Sequence, residues 1–137
     1  MGLVIDSSVL IEAERAKRSV SDLLSSLSTD HSETQFVISS ITVMELEHGW
    51  HRARSPELAL RRRIYLDEVF AIIPVAPFTN PMGILAAGID ARMKEQGCAI
   101  ATADLLIGAT ALHYGYSVGT CNFRHFGLIP GLTVIAL

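Results

Sequence analysis

Residues 3–11 read LVIDSSVLI, and this stretch decides the architecture. Leu3, Val4 and Ile5 form an unbroken apolar run too short for a helix, which reads as a strand buried on both faces. Asp6-Ser7-Ser8 follows as the strand's exit and as the cap of a helix over residues 9–15. A buried strand feeding directly into a capped helix is the first half of a parallel β–α unit.

The same grammar recurs along the chain. Val20, Leu23, Leu24 and Leu27 give a second helix its apolar face over 20–27. Residues 36–38 form a second strand, after which Ser39-Ser40 caps a helix over 41–50. Ser55-Pro56-Glu57 restarts a helix that runs to 69, with proline in its first turn. The reading continues with a third strand at 71–75 and a helix over 84–96, stopped by Gly97. Thr102 caps a helix through 112, a fourth strand covers 116–119, and a fifth covers 132–135. Strands alternating with helices predict an α/β fold in one domain, 1–137, with a mostly parallel sheet of four to five strands flanked by helices. In such sheets ligands bind beyond the C-terminal ends of the strands.

Composition narrows the function classes. The chain has 137 residues, half of them apolar, and a mean hydropathy of +0.38. That length accommodates one domain with a true core, and the apolar excess suggests surface reserved for a partner. Net charge is −3, so no global basic field holds a polyanion, and any nucleic-acid contact rests on a local patch. Cys98 and Cys121 make no zinc spacing and are expected as reduced thiols in a cytosolic core. No signal peptide is visible, and no run approaches the ~18 apolar residues of a membrane span, so a cytoplasmic location is expected.

Four polar side chains break locally apolar patterns. Asp6 follows the first strand, and Glu45 stands inside ITVMELEHG between Met44 and Leu46. Asp104 opens the small, apolar run LLIGA, and Asn122 follows the fourth strand. Each has an ordinary explanation: an N-cap for Asp6, a wet helix face for Glu45, the helix dipole for Asp104, a turn for Asn122. Taken together they are acids in apolar company, which is costly unless they are paired or bound to a cation. Oxygen donors point to a hard divalent ion, Mg²⁺ or Mn²⁺. Ser7 and Ser8 are candidate supports through their hydroxyls, and Asp90 a candidate outer acid on its helix. His48, one helical turn from Glu45, reads as a surface or packing residue. Arg52, Arg54, Arg61, Arg62 and Arg63 form the only concentrated basic segment, read as either a solvated helix face or a contact for phosphate or an acidic partner. Arg124 and His125 lie next to Asn122, within reach of a phosphate at the site.

These segments resemble the PIN-domain ribonucleases, and most closely the toxins of VapBC-type toxin–antitoxin pairs. The matching stretches are LVIDSSVLI, SSITVMELEHG, ADLLIGATAL and GTCNFRHF, in that order and along essentially the whole chain. The resemblance implies a three-layer PIN-like fold and an acidic site of Asp6, Glu45, Asp104 and Asn122, with Thr120 as its hydroxyl residue. It implies metal-dependent hydrolysis of RNA phosphodiesters, with Asp6, Glu45 and Asp104 holding Mg²⁺ or Mn²⁺ and with 5′-phosphate and 3′-hydroxyl products. It also implies a VapB-like antitoxin partner and a homodimer. The chain departs from the family pattern in its neutral Asn122, in Ser8 where asparagine is frequent, and in Gly108 where alanine is frequent.

Other α/β phosphate chemistries fit less well. A receiver-like phosphoacceptor needs a lysine near the last strands, and the only lysines are Lys17 and Lys94. A haloacid-dehalogenase-type phosphatase needs an acid two residues after Asp6, where Ser8 stands. The remaining alternatives are a PIN-like RNA- or protein-binding module without catalysis, and a PIN nuclease in RNA processing outside toxin–antitoxin systems.

Overall fold

The structure, a computed structural model, describes residues 1–30 and 34–137. The first strand, β1 (Gly2–Ile5), is buried along its whole length. It leads into α1 (Ser7–Arg15) and α2 (Val20–Asp30), then β2 (Gln35–Ser39) and α3 (Ser40–His51). Next come α4 (Pro56–Ile72), the two-residue β3 (Val75–Ala76), α5 (Asn80–Glu95) and α6 (Thr102–Tyr114). The chain ends with β4 (Ser117–Thr120), a short α7 (Phe123–Phe126) and β5 (Val134–Ala136).

The five strands are all parallel, in the order β3-β2-β1-β4-β5. Val4 stands opposite Val37 on one side and Val118 on the other. Successive side chains of β1 point to opposite faces, which divides the core in two. Ile5 and Ile38 pack with Leu10, Leu23, Leu46, Leu66 and Val69 from α1 to α4. Val4 and Val118 pack with Ile89, Met93, Ile107 and Phe126 from α5 to α7. The three-layer α/β/α arrangement expected from the sequence is therefore present. From β1 the chain proceeds to β2 and β3 on one side, then crosses by α5 and α6 to β4 on the other. The reversal lies between β1 and β4, and that switch point is where an open parallel sheet leaves a crevice.

Local chemistry accounts for most boundaries. The Ser39 hydroxyl accepts from the Ile41 amide, and the Ser55 hydroxyl accepts from the Leu58 amide. Gly97 has φ +72°, and the Gly97 and Cys98 amides donate to the Lys94 and Met93 carbonyls. That is a left-handed C-terminal stop, as expected at Gly97. The α3–α4 hairpin is clasped by Arg63, which donates to both Glu47 carboxylate oxygens at 2.8 and 2.9 Å and to Asp67 at 3.0 Å. Arg63 also lies over the Trp50 ring, and Trp50 Nε1 donates to the Ala59 carbonyl.

Several boundaries differ from expectation, three of them instructively. Residues 71 and 72 are the end of α4, so the third strand shrinks to Val75–Ala76. A short apolar run has no periodicity to separate a buried helix end from a strand. The fifth helix starts at Asn80 rather than 84, because Pro81 occupies one of its first positions, where a missing N–H costs nothing. The cap of α6 is Ala101, with Thr102 already helical. Cys121 is exposed rather than buried, and both cysteines are free thiols.

Candidate active site

Asp6 stands at the crevice between β1 and β4. Its amide donates to the Gly119 carbonyl, which extends the β1–β4 ladder by one residue. It is only 3% exposed. Although Asp6 is the N-cap of α1, its carboxylate makes no cap hydrogen bond. Instead Oδ2 accepts from Ser8 Oγ at 2.7 Å and Thr120 Oγ1 at 2.9 Å. Each hydroxyl has one proton, and both are spent on Asp6. The two oxygens in turn accept the amides of Cys121 and Asn122. One carboxylate thereby fixes the loop that leaves β4, and its Oδ1 is bonded to no donor among the described residues.

Glu45 projects from α3 and accepts from Ser7 Oγ at 3.1 Å through Oε1. Burial pushes its pKa up, and the charges of Asp6 and Asp104 push it further; the Ser7 bond works the other way. Asp104 lies in the first turn of α6, whose N-cap is Ala101. Burial raises its pKa first and the Asp6 charge adds to that, against His125, whose Nδ1 lies 3.3 Å from Oδ2. Glu45 therefore feels the charges of Asp6 and Asp104, and Asp104 feels that of Asp6. Carboxylates held together at this cost are groups that a cation would relieve.

A PIN domain family model matches residues 3–127, a span that includes Asp6, Glu45, Asp104 and Asn122. The chain belongs to the PIN-domain family. This PIN domain is 32% identical to Ribonuclease VapC1 of Rickettsia felis over 137 residues, covering all of this chain and 97% of the relative. It is 29% identical to the tRNA(fMet)-specific endonuclease VapC of Salmonella typhimurium over 101 residues, 74% of each chain. Among solved structures it resembles DNA-bound VapBC from Salmonella typhimurium, with TM-score 0.83, 25% identity, and coverage of 99% and 98%. VapBC2 from Rickettsia felis, bound to a fragment of promoter DNA, shares the fold with TM-score 0.87 at 20% identity, covering 100% and 99%.

The remaining expected residues divide by what they touch. In this PIN domain the Asn122 side chain is exposed, and its backbone amide is the part tied to Thr120. Asp90 pairs with Lys94 at 2.8 Å on α5 rather than with the acid cluster. His48 is exposed. Arg63 is taken up by the α3–α4 clasp, and Arg62 donates to the Gly49 carbonyl at 2.6 Å. Arg52, Arg54, Arg61 and Arg124 are exposed, with no ion pair among the described residues. Two contacts escaped sequence reasoning: Ser7 on Glu45, and His125 on Asp104. Both join residues far apart in the chain, and no local pattern reports them.

The donor set of this PIN domain fits a hard divalent cation. Every contributing atom is a carboxylate oxygen, and Asp6, Glu45 and Asp104 each keep one oxygen without a protein donor among the described residues. Within those residues no three acid, histidine or cysteine side chains close directly round one ion. No helix among the described residues is long and apolar enough to cross a membrane.

Proposed function

We propose that this chain is a divalent-cation-dependent endoribonuclease, the toxin half of a VapC-type toxin–antitoxin pair. The observation that carries the reading is Asp6, buried at the β1–β4 switch point, with Glu45 bonded to the adjacent Ser7 and Asp104 close enough to feel the Asp6 charge. The relatives named as VapC ribonucleases support it, as does the likeness to structures of VapBC complexes. A VapB-like antitoxin and a second copy of the chain are the partners this reading assigns.

Asp6, Glu45 and Asp104 would hold Mg²⁺ or Mn²⁺, directly or through water. A divalent ion there supplies Lewis acidity, lowering the pKa of water and neutralising charge on a phosphodiester. The chain's own residues prepare the site. Ser8 and Thr120 fix the rotamer of Asp6 by donating to one oxygen, which leaves the other outward. Ser7 does the same for Glu45. Asn122 is held near the site by its backbone amide on Thr120, and its neutral side chain adds no fourth repelling charge. His125 lies against Asp104 and tempers its charge.

The reading is tested by incubating purified protein with total RNA in Mg²⁺, in Mn²⁺ and in EDTA. Discrete fragments with 5′-phosphate ends, formed only with metal, are the expected result, and sequencing of the ends names the substrate. Intact RNA in both metals would reject the nuclease and favour a PIN-like binding module.

Ser7 carries a separate expectation. Ser7→Ala removes the one side-chain hydrogen bond on Glu45 among the described residues and should lower kcat about 10- to 100-fold, the usual effect of losing a residue that orients a metal ligand. The Mg²⁺ concentration for half-maximal rate should rise, with KM for RNA unchanged. Ser7→Thr should restore both values, and failure of threonine to do so would reduce Ser7 to a packing role.

A further inference from the structure

The acid cluster opens at Glu45 into a cleft of about 400 Å³ between α1 and the α3–α4 hairpin. Four arginines and two glutamates line it, so its walls are positive although the chain as a whole is negative. Resting on the nuclease reading, we infer that this cleft binds the RNA strand beside the scissile phosphate, with Arg52 and Arg54 holding backbone phosphates.

The two arginines are not on a loose loop. They lie in the turn between α3 and α4, whose two helices are locked together by Arg63 on Glu47, by Trp50 on the Ala59 carbonyl, and by Arg62 on the Gly49 carbonyl. Arg62 and Arg63 thus build the hairpin, while Arg52 and Arg54 are exposed and carry no ion pair among the described residues. Arg62 also sets a fixed positive wall, 3.8 Å from Glu14, which offsets that cleft acid. Guanidinium groups suit phosphate, which they grip with paired N–H donors.

Glu45 is both a cleft wall and a member of the acid cluster. Whatever occupies the cleft therefore reaches the hydrolytic carboxylates. A polyanion that meets arginines along its length and carboxylates only through a cation satisfies both halves of that surface. An RNA single strand is such a ligand, and backbone charge dominates its affinity. A protein segment would have to place acids on the arginines and avoid Glu45 at the same time.

The test is fluorescence anisotropy of a short labelled single-stranded RNA of mixed sequence, titrated with full-length protein in EDTA, where the proposed hydrolysis does not run. The double variant Arg52→Ala, Arg54→Ala should bind about tenfold more weakly near physiological salt, and the slope of log K against log salt should flatten by about 1.4, the contribution of two single-strand phosphate contacts. Arg92→Ala, an exposed arginine on α5 outside the cleft, should match the wild type. Unchanged binding and slope in the double variant would overturn the inference while leaving metal-dependent cleavage intact. Absence of wild-type binding would overturn it as well. If the double variant keeps RNA but loses the coexpressed antitoxin, the cleft belongs to the protein partner and the inference fails. The nuclease reading fails on a different result, intact RNA in Mg²⁺ and Mn²⁺.

Discussion

Asp6→Asn should abolish RNA cleavage and, with it, any rise in melting temperature on adding Mg²⁺ or Mn²⁺. Asp6 is the least exposed of the three acids, and its charge raises the pKa of both others. Asparagine has the shape to keep the Ser8 and Thr120 bonds through its carbonyl oxygen, so the loop after β4 stays in place. What goes is the negative charge that draws the cation. A bound ion contributes several kcal/mol of charge stabilisation to phosphoryl chemistry, and each ~1.4 kcal/mol is tenfold in rate, so the loss is about a thousandfold or more. In thermal melts the wild type should gain RT ln(1 + [L]/Kd) from metal, and Asp6→Asn should gain almost nothing. A variant with full metal-dependent stabilisation would remove Asp6 from the site.

Asp104→Asn should do the opposite to the metal-free protein: raise its melting temperature while destroying activity. Burial and the neighbouring charges lift the pKa of Asp104 and Glu45 above their unfolded values. As pH rises past the ordinary carboxylate range the unfolded chain ionises first and binds fewer protons, so stability falls with pH until the raised native pKa values are passed. At neutral pH the full cost is present, and acidification through those raised values recovers it. Neutral asparagine removes the Asp104 share of that repulsion and its burial cost. Calorimetry in EDTA at neutral pH should show a gain of about 3 °C, the shift that about 1 kcal/mol makes in a domain of this size. At a pH below the carboxylate range the gain should vanish. A metal-free variant that melts below the wild type at neutral pH would mean that the acids are not in repulsive contact.

The acids were legible in sequence because each violates its surroundings: Asp6 ends an apolar strand, Glu45 interrupts a packed helix face, and Asp104 heads a buried helix. Those are local contradictions, and strand ends in a parallel sheet say where such residues meet. The partners that hold the acids were not legible. Ser7 and Glu45 are 38 residues apart, and Thr120 and Asp6 are 114 apart, so neither bond leaves a trace in periodicity. The five arginines of the basic segment looked equivalent in the sequence. Only the folded hairpin separates Arg63, spent on Glu47 and Trp50, from Arg52 and Arg54, which face the cleft. The fold failed to read where apolar character was continuous, at the α4–β3 junction, because a buried helix end and a buried strand look alike there.

Mn²⁺ binding followed by electron paramagnetic resonance, on the wild type beside Asp6→Asn, Glu45→Gln and Asp104→Asn, tests the central claim that three separate elements build one cation site. The account predicts that the wild type takes up Mn²⁺ and that each single substitution weakens uptake at least tenfold, with the fold retained. Wild-type Mn²⁺ affinity in any one of the three variants would contradict it.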